Sequence, residues 1–171
     1  MIADMMVTLS TWALPVLVAI TFHEAAHGYV AHLCGDDTAK RLGRVSFNPS
    51  RHIDPFGTVL LPLIVFLTRS PFLFGYAKPV PVDFANLRNP KRDMVWVALA
   101  GPGINMVLAV AAAFLVHLTL ALPETAQDWF LRNMINTIQI NLLLALFNML
   151  PIPPLDGGRV AVGLLPAPLA I

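Results

Sequence analysis

The chain has 171 residues, of which 57% are apolar and only 12% are charged, and its net charge at pH 7 is +1. Soluble domains carry about 25% charged residues, so a soluble globular fold would leave too little polar surface to cover this chain. The same composition excludes a disordered segment, a collagen-like repeat and a coiled coil. The small net charge gives no electrostatic basis for binding nucleic acid. These exclusions point to a membrane protein.

Uncharged runs along the chain predict the membrane spans. Runs without Asp, Glu, Lys or Arg cover residues 5–23, 94–123 and 133–155, with lengths of 19, 30 and 23 residues. A helix of about 20 apolar residues crosses the hydrocarbon core, so all three runs are predicted to span the membrane. A fourth run, 55–68, has 14 residues and reaches span length when Arg69 is allowed and the segment continues to Ala77. We therefore expect an all-α polytopic membrane protein with four to five transmembrane helices.

Two segments between the spans are predicted to be non-helical. Residues 124–132 contain several charged side chains and are expected to form a short polar connection before a helix over 134–148. In residues 77–83, two prolines alternate with Val80 and Val82. Proline lacks the backbone N–H and is confined to strand edges, so this stretch is predicted to be a small membrane-associated β segment.

The sequence His23-Glu24-Ala25-Ala26-His27 carries the strongest chemical signal. Residues four apart lie on one face of a helix, so the two imidazoles can share one metal ion with Glu24 beside them as a base. The alternative is a pair of histidines packed inside a helix bundle. Ionisable side chains within an apolar span are costly and face an interior or a wet cavity, which favours the metal site.

Asp156 is the best candidate for a third ligand. A catalytic zinc site has three protein ligands and one open position, and Asp156 is the only carboxylate between residues 133 and 170. Three prolines precede it, and Gly157 and Gly158 follow it. Irregular backbone at membrane depth is tolerated where it lines protein or a cavity. The alternative role is the N-cap of a last helix beginning at Gly157.

These residues resemble the site-2 protease family of intramembrane zinc metalloproteases, in its short branch without an inserted PDZ domain. The resemblance covers nearly the whole chain, from residue 22 to residue 159. The motifs that carry it are Phe22-His23-Glu24-Ala25-Ala26-His27-Gly28, Ala100-Gly101-Pro102-Gly103-Ile104-Asn105, Lys78-Pro79-Val80-Pro81-Val82 and Asn148-Met149-Leu150-Pro151-Ile152-Pro153-Pro154-Leu155-Asp156-Gly157-Gly158. It implies a single membrane domain over residues 1–171 with one Zn²⁺ per chain, held by His23, His27 and Asp156. It implies Glu24 as the catalytic residue.

The family's activity is the cleavage of transmembrane protein substrates in the lipid bilayer, and the resemblance places this chain as a multi-pass protein of a prokaryotic cell membrane. Glu24 then takes a proton from the attacking water and passes it to the leaving amine. Asn105 is our hypothesis for an oxyanion donor, against the alternative of an interhelical hydrogen bond. Val80 and Val82 are expected to capture an unwound substrate by strand addition, against the alternative of a purely structural hairpin.

Two other functions remain open at this point. A membrane metal transporter would use the His and Asp side chains as a transient relay, and a catalytically inactive scaffold would retain the fold alone. Members of the family usually carry a further span after the Asp-Gly-Gly segment, so the chain is expected to be cut short at its C-terminus.

Overall fold

A computed structural model of the chain describes residues 2–52, 54–60, 64, 68 and 78–166. The described part is mostly helical. Its α-helices are α1 (Ile2–Leu33), α2 (Thr38–Arg41), α3 (Pro90–Leu115), α4 (Glu124–Asn148) and α5 (Asp156–Leu164). Short 3₁₀ turns lie at Pro49–Arg51, Phe84–Asn86 and Val116–Ala121, and a π-helical turn lies at Pro55–Leu60.

Within the described residues, three helical segments are long and apolar enough to cross a membrane: Asp4–Leu33, Pro90–Ala121 and Glu124–Asn148. They confirm three of the predicted spans. The expected total of four to five is not confirmed, because most of the predicted second span, 55–77, lies outside the described residues.

The β segment predicted near residues 77–83 is not confirmed either. Ala77 lies outside the described residues, and the part that is described, 78–83, forms neither a strand nor a helix. A strand needs a partner ladder, and Pro79 and Pro81 have no N–H to offer. The N–H of Val80 donates instead to a side chain, the Glu24 carboxylate, at 2.7 Å.

Local sequence explains where the helices begin and end. Helix α1 ends at Leu33, two residues before Gly35, which adopts a φ of +113°. Glycine is the residue that takes this backbone conformation without strain. Helix α3 begins at Pro90, where a missing N–H costs nothing. Helix α4 begins at Glu124, ten residues earlier than predicted from the uncharged run.

The long helices pack through small and polar side chains. The buried hydrophobic residues of α1 and α3 are largely alanines, which let helix backbones approach closely. Helix α4 lies beside the first half of α1. Two hydrogen bonds join them: Trp129 donates to the Ser10 hydroxyl at 3.0 Å, and Asn136 donates to the Thr11 carbonyl at 2.9 Å. Large apolar side chains such as Phe114 and Leu120 remain exposed, as expected for a surface that faces lipid.

A small apolar core closes the other end of the bundle. Ala31, Leu87 and Val97 form this cluster, and the side chains of Val82 and Phe84 pack partly buried against it. The irregular segment 78–89 is thereby held against the last turns of α1 and the first turns of α3. This arrangement brings a non-helical backbone next to the histidines of α1.

Candidate metal centre

The side chains of His23, His27 and Asp156 meet at one point inside the protein. Their ligand atoms lie within 4.8 Å of one another, and all three residues are buried. The Nε2 atoms of His23 and His27 are 3.0 Å apart. The Asp156 Oδ2 atom lies 3.2 Å from His23 Nε2 and 3.3 Å from His27 Nε2. Residues more than 120 positions apart in sequence thus form one compact donor set.

The second nitrogen of each imidazole is engaged by α3. His23 Nδ1 lies 3.1 Å from the Asn105 side-chain oxygen, and His27 Nδ1 lies 2.7 Å from the Val97 carbonyl oxygen. Both oxygens accept hydrogen bonds, so each Nδ1 carries the hydrogen and donates it. Each Nε2 therefore presents a lone pair toward Asp156. This tautomer, with the hydrogen on Nδ1, is the one that a metal ligand at Nε2 requires.

Three lone pairs that face one another at 3.0–3.3 Å repel unless a cation lies among them. Among the described residues, the buried Asp156 Oδ2 has no hydrogen-bond donor. Tetrahedral zinc with bonds of about 2.0–2.1 Å separates neighbouring ligand atoms by about 3.3 Å. The chemistry and the spacing of the donor set therefore fit zinc.

Gly101 of α3 lies directly against the two imidazoles. A Cβ atom at this position would lie 2.4 Å from His27 Nε2 and 2.6 Å from His23 Nε2. No side chain larger than hydrogen fits there without displacing the imidazoles.

Asp156 reaches the histidines because the chain before it is irregular. Residues 149–155 are not helical, and α5 begins at Asp156 itself, one residue earlier than the alternative capping role assumes. Added Cβ atoms at Gly157 and Gly158 would lie 2.3 Å from the Met149 carbonyl oxygen and 2.7 Å from the Pro153 nitrogen. Both glycines therefore allow this backbone to fold closely over the start of α5.

Glu24 lies on α1 next to the histidines, and its Oε2 atom accepts the Val80 N–H at 2.7 Å. Gly28, one turn further along α1, packs against the same segment, since a Cβ there would lie 3.0 Å from Val80 Cγ1. The segment 78–83 is thus part of the site's surroundings. Val80 lies beside the predicted base, whereas the side chain of Val82 packs toward the apolar core.

The structure brings together His23, His27 and Asp156, with Glu24 and Val80 in contact at their edge. Asn105 is fully buried and uses its oxygen to accept from His23, while its Nδ2 atom has no partner among the described residues. Sequence reasoning did not identify Gly101 or the Val97 carbonyl. The quoted motif that contains Gly101 was a signal that this stretch of α3 matters, but it did not indicate which group it contacts.

Comparison with known proteins gives consistent results. The profile of peptidase family M50 matches residues 11–127. A Bacillus subtilis protein, provisionally named zinc metalloprotease YwhC, is 43% identical over 157 residues, which cover 88% of this chain and 67% of that protein. A Mycolicibacterium smegmatis protein with the provisional name zinc metalloprotease Rip2 is 30% identical over 143 residues, 82% of this chain and 52% of its own length. The chain therefore spans from about half to two thirds of these relatives, and no solved structure matches it significantly.

Proposed function

Because this chain belongs to peptidase family M50, the site-2 protease family, we propose that it is an intramembrane zinc metalloprotease. Its substrates are membrane proteins, cleaved at peptide bonds within or near their transmembrane segments. The observation that carries the proposal is the convergence of two imidazole lone pairs and one carboxylate oxygen at 3.0–3.3 Å inside a bundle of apolar helices.

His23, His27 and Asp156 would hold one zinc ion per chain. When bound, zinc supplies a Lewis acid that acidifies water and polarises a carbonyl group. Glu24 accepts a proton from the attacking water and hands it to the leaving amine. The Val80 N–H orients the Glu24 carboxylate, because a charged acceptor forms a strong hydrogen bond with a backbone donor.

Asn105 has two roles in this proposal, which use different atoms. Its oxygen accepts from His23 Nδ1 and so keeps that imidazole in the ligand tautomer. Its buried Nδ2 group has no hydrogen-bond acceptor among the described residues. This free N–H donor is our candidate for the oxyanion donor. An Asn105→Ala protein that keeps its zinc and its turnover would remove both roles.

The segment with Val80 and Val82 is the proposed substrate edge. A transmembrane helix must unwind before a peptide bond becomes accessible, and an unwound strand can pair with an exposed backbone edge. Val80 is suited to this task because it lies next to Glu24. Replacement of Val80 or Val82 should weaken cleavage and leave the zinc content intact, whereas loss of zinc would favour a structural role for the segment.

The test is cleavage of a transmembrane test peptide by purified protein in liposomes, with zinc content measured on the same sample. We expect cleavage by the wild-type protein and none by Glu24→Gln, which retains one zinc per chain. Glu124→Gln is the matched control, because Glu124 is the only other glutamate and lies exposed at the start of α4. Cleavage should be unchanged in this control.

The same experiment separates the two competing functions. Zinc flux into sealed liposomes without peptide cleavage would support a metal transporter and contradict our proposal. Bound zinc with neither flux nor cleavage would support an inactive scaffold. Equal cleavage by the wild-type protein and Glu24→Gln would remove Glu24 from the reaction.

A further inference from the structure

Asp36 is a buried carboxylate for which the proposed reaction has no use. It lies just beyond the end of α1, outside the membrane-spanning segments, and its exposed fraction is 0%. Buried carboxylates are rare unless hydrogen bonds satisfy them. The partners of Asp36 should therefore indicate why the chain keeps it there.

The two carboxylate oxygens serve different parts of the chain. Oδ1 accepts from the backbone N–H of Thr38 at 3.0 Å, from the Thr38 hydroxyl, and from Asn86 Nδ2 at 3.3 Å. Oδ2 accepts from the backbone N–H of Asp83 at 2.8 Å. One oxygen mainly caps the local turn, and the other fastens the irregular segment to the end of α1.

Neighbouring contacts strengthen this attachment. The Arg88 N–H donates to the Cys34 carbonyl at 3.0 Å. A Cβ added to Gly35 would lie 3.2 Å from the Asn86 carbonyl oxygen, so the segment passes close over the turn that ends α1. Burial opposes ionisation of Asp36, but the hydrogen bonds from Thr38, Asp83 and Asn86 outweigh it and lower the pKa of the carboxyl group.

The other attachment of the same segment is Glu24, which accepts from the Val80 N–H. Val80 and Asp83 are only three residues apart, so a shift at one of them is transmitted to the other through a short stretch of backbone. Pro79 and Pro81 flank Val80, and each fixes its own φ near −65°. The stretch from Val80, which is bound to Glu24, to Asp83, which is bound to Asp36, therefore has few ways to absorb a displacement.

We propose that Asp36 is a positioning residue, which holds residues 80–83 in the register where the Val80 N–H meets Glu24 and the substrate edge faces the site. The inference rests on the proposed protease function. Asp36 acts through the segment and does not itself touch the reacting atoms.

Asp36→Asn is the sharpest perturbation. An asparagine has one acceptor oxygen and one NH₂ group, so it cannot accept from both Thr38 and Asp83 as the carboxylate does. Two controls isolate the effect. Asp37→Asn makes the same chemical change at the next residue, whose carboxylate contacts His32, and Thr38→Ala removes only the hydroxyl contact of the local turn.

The first measurement is amide hydrogen exchange in the wild-type protein and the variants, without substrate. Exchange at Val80 and Asp83 should accelerate at least about 10-fold in Asp36→Asn, since each hydrogen bond to a carboxylate is lost or weakened. Val82 is the internal reference, because its N–H donates to no acceptor among the described residues. Unchanged exchange at Val80 and Asp83 would overturn the proposal.

The second measurement is kinetic, with zinc content determined on each sample. A loosened segment should raise KM and lower kcat, for a combined fall in kcat/KM of at least about 10-fold at one zinc per chain. Partial unfolding would lower kcat and zinc content together and leave KM unchanged, and that result would contradict the proposal. A fall of equal size in Asp37→Asn would contradict it as well.

The two measurements also separate this inference from the proposed function. If the wild-type protein cleaves no peptide, the proposed function fails, while hydrogen exchange still reports whether Asp36 holds the segment. If cleavage is normal and exchange at Val80 does not respond to Asp36→Asn, the positioning role alone fails.

Discussion

Replacement of Gly101 by alanine should strongly weaken metal binding without removing any ligand. The added methyl group would project from α3 onto the two imidazole rings. It would lie 2.4 Å from His27 Nε2 and 2.6 Å from both Cε1 and Nε2 of His23. Both separations are far shorter than an ordinary van der Waals contact, so the methyl group would push the two imidazoles out of the positions in which they could hold a metal ion.

The expected size of the effect follows from these distances. Ordinary van der Waals contacts of a Cβ atom begin at 3.4 Å, so each imidazole must retreat by about 1 Å. Metal sites tolerate deviations of about 0.2 Å in ligand distance, which is about a fifth of that shift. Mutations of residues that merely orient ligands cost 10- to 100-fold in metal affinity. We expect Gly101→Ala to weaken zinc binding by at least about 100-fold and to lower the free energy of unfolding by about 1–3 kcal/mol.

The assay is competitive zinc titration of the purified protein in detergent, together with thermal unfolding. Gly103→Ala is the matched control, because Gly103 lies on the same helix and no atom lies within 4 Å of its added Cβ. Alanine is favoured over glycine in a helix by about 0.5–1 kcal/mol, so this variant should be slightly stabilised. It should bind zinc like the wild-type protein.

The reasoning would be refuted if Gly101→Ala bound one zinc per chain with wild-type affinity. That outcome would mean that zinc does not bind between the two imidazoles, or that α3 yields more easily than its packing indicates. Equal losses of zinc affinity in Gly101→Ala and Gly103→Ala would also refute it, because they would point to a general effect of alanine in this helix.

Three further predictions concern the surroundings of the site. Asn105→Ala should lower zinc affinity about 10- to 100-fold, because the His23 ring loses its acceptor; a metal titration with unchanged affinity would contradict this. Gly157→Ala should lower the free energy of unfolding by about 3 kcal/mol, because its Cβ would lie 2.3 Å from the Met149 carbonyl oxygen, and thermal unfolding in detergent measures the loss. Burial opposes ionisation of Asp36, but the hydrogen bonds from Thr38, Asp83 and Asn86 hold its folded-state pKa below that of an unperturbed aspartate, about 3.9. Its contribution to stability is therefore complete above that pH and is lost as the pH falls through the folded pKa. The difference in unfolding temperature between the wild-type protein and Asp36→Asn should therefore narrow between pH 6 and pH 3; a constant difference would show that ionisation of this group does not stabilise the fold.

The sequence was sufficient to propose which side chains converge, because their spacing and chemistry are local signals. Two histidines four apart share a helix face wherever that helix packs, and a carboxylate between apolar flanks needs a partner. Contacts between α1 and α3 were not predictable in the same way. They depend on how two helices are rotated and shifted against each other, so the acceptor role of Asn105 and the close approach of Gly101 appear only in three dimensions.

Helix boundaries show the same division. The end of α1 depends on a local property, since Gly35 adopts a positive φ that favours glycine. The charged residues of 124–132 predict a loop, so the predicted start of α4 lies ten residues after the observed one. In the structure, Asp128 and Arg132 form an ion pair at 2.8 Å, one helical turn apart, which makes this charged stretch compatible with a helix. In residues 78–83, the alternating prolines predict a strand, but the structure shows none. The Val80 N–H, which would be available for strand pairing, donates to the Glu24 carboxylate instead.

The position of His23 and His27 along α1 bears on the depth of the donor set in a bilayer. The apolar part of α1, Asp4–Leu33, has 30 residues and is about 45 Å long, compared with a hydrocarbon core of about 30 Å. The midpoint between His23 and His27 is eight residues, about 12 Å, from Leu33. For an upright helix centred in the bilayer, that point lies about 5 Å below the hydrocarbon boundary on the side of the Asp36 turn. Under the proposed function, a substrate cut at this depth would need to unravel only the outermost turns of its helix. The fragment released on that side would then carry few apolar residues out of the bilayer.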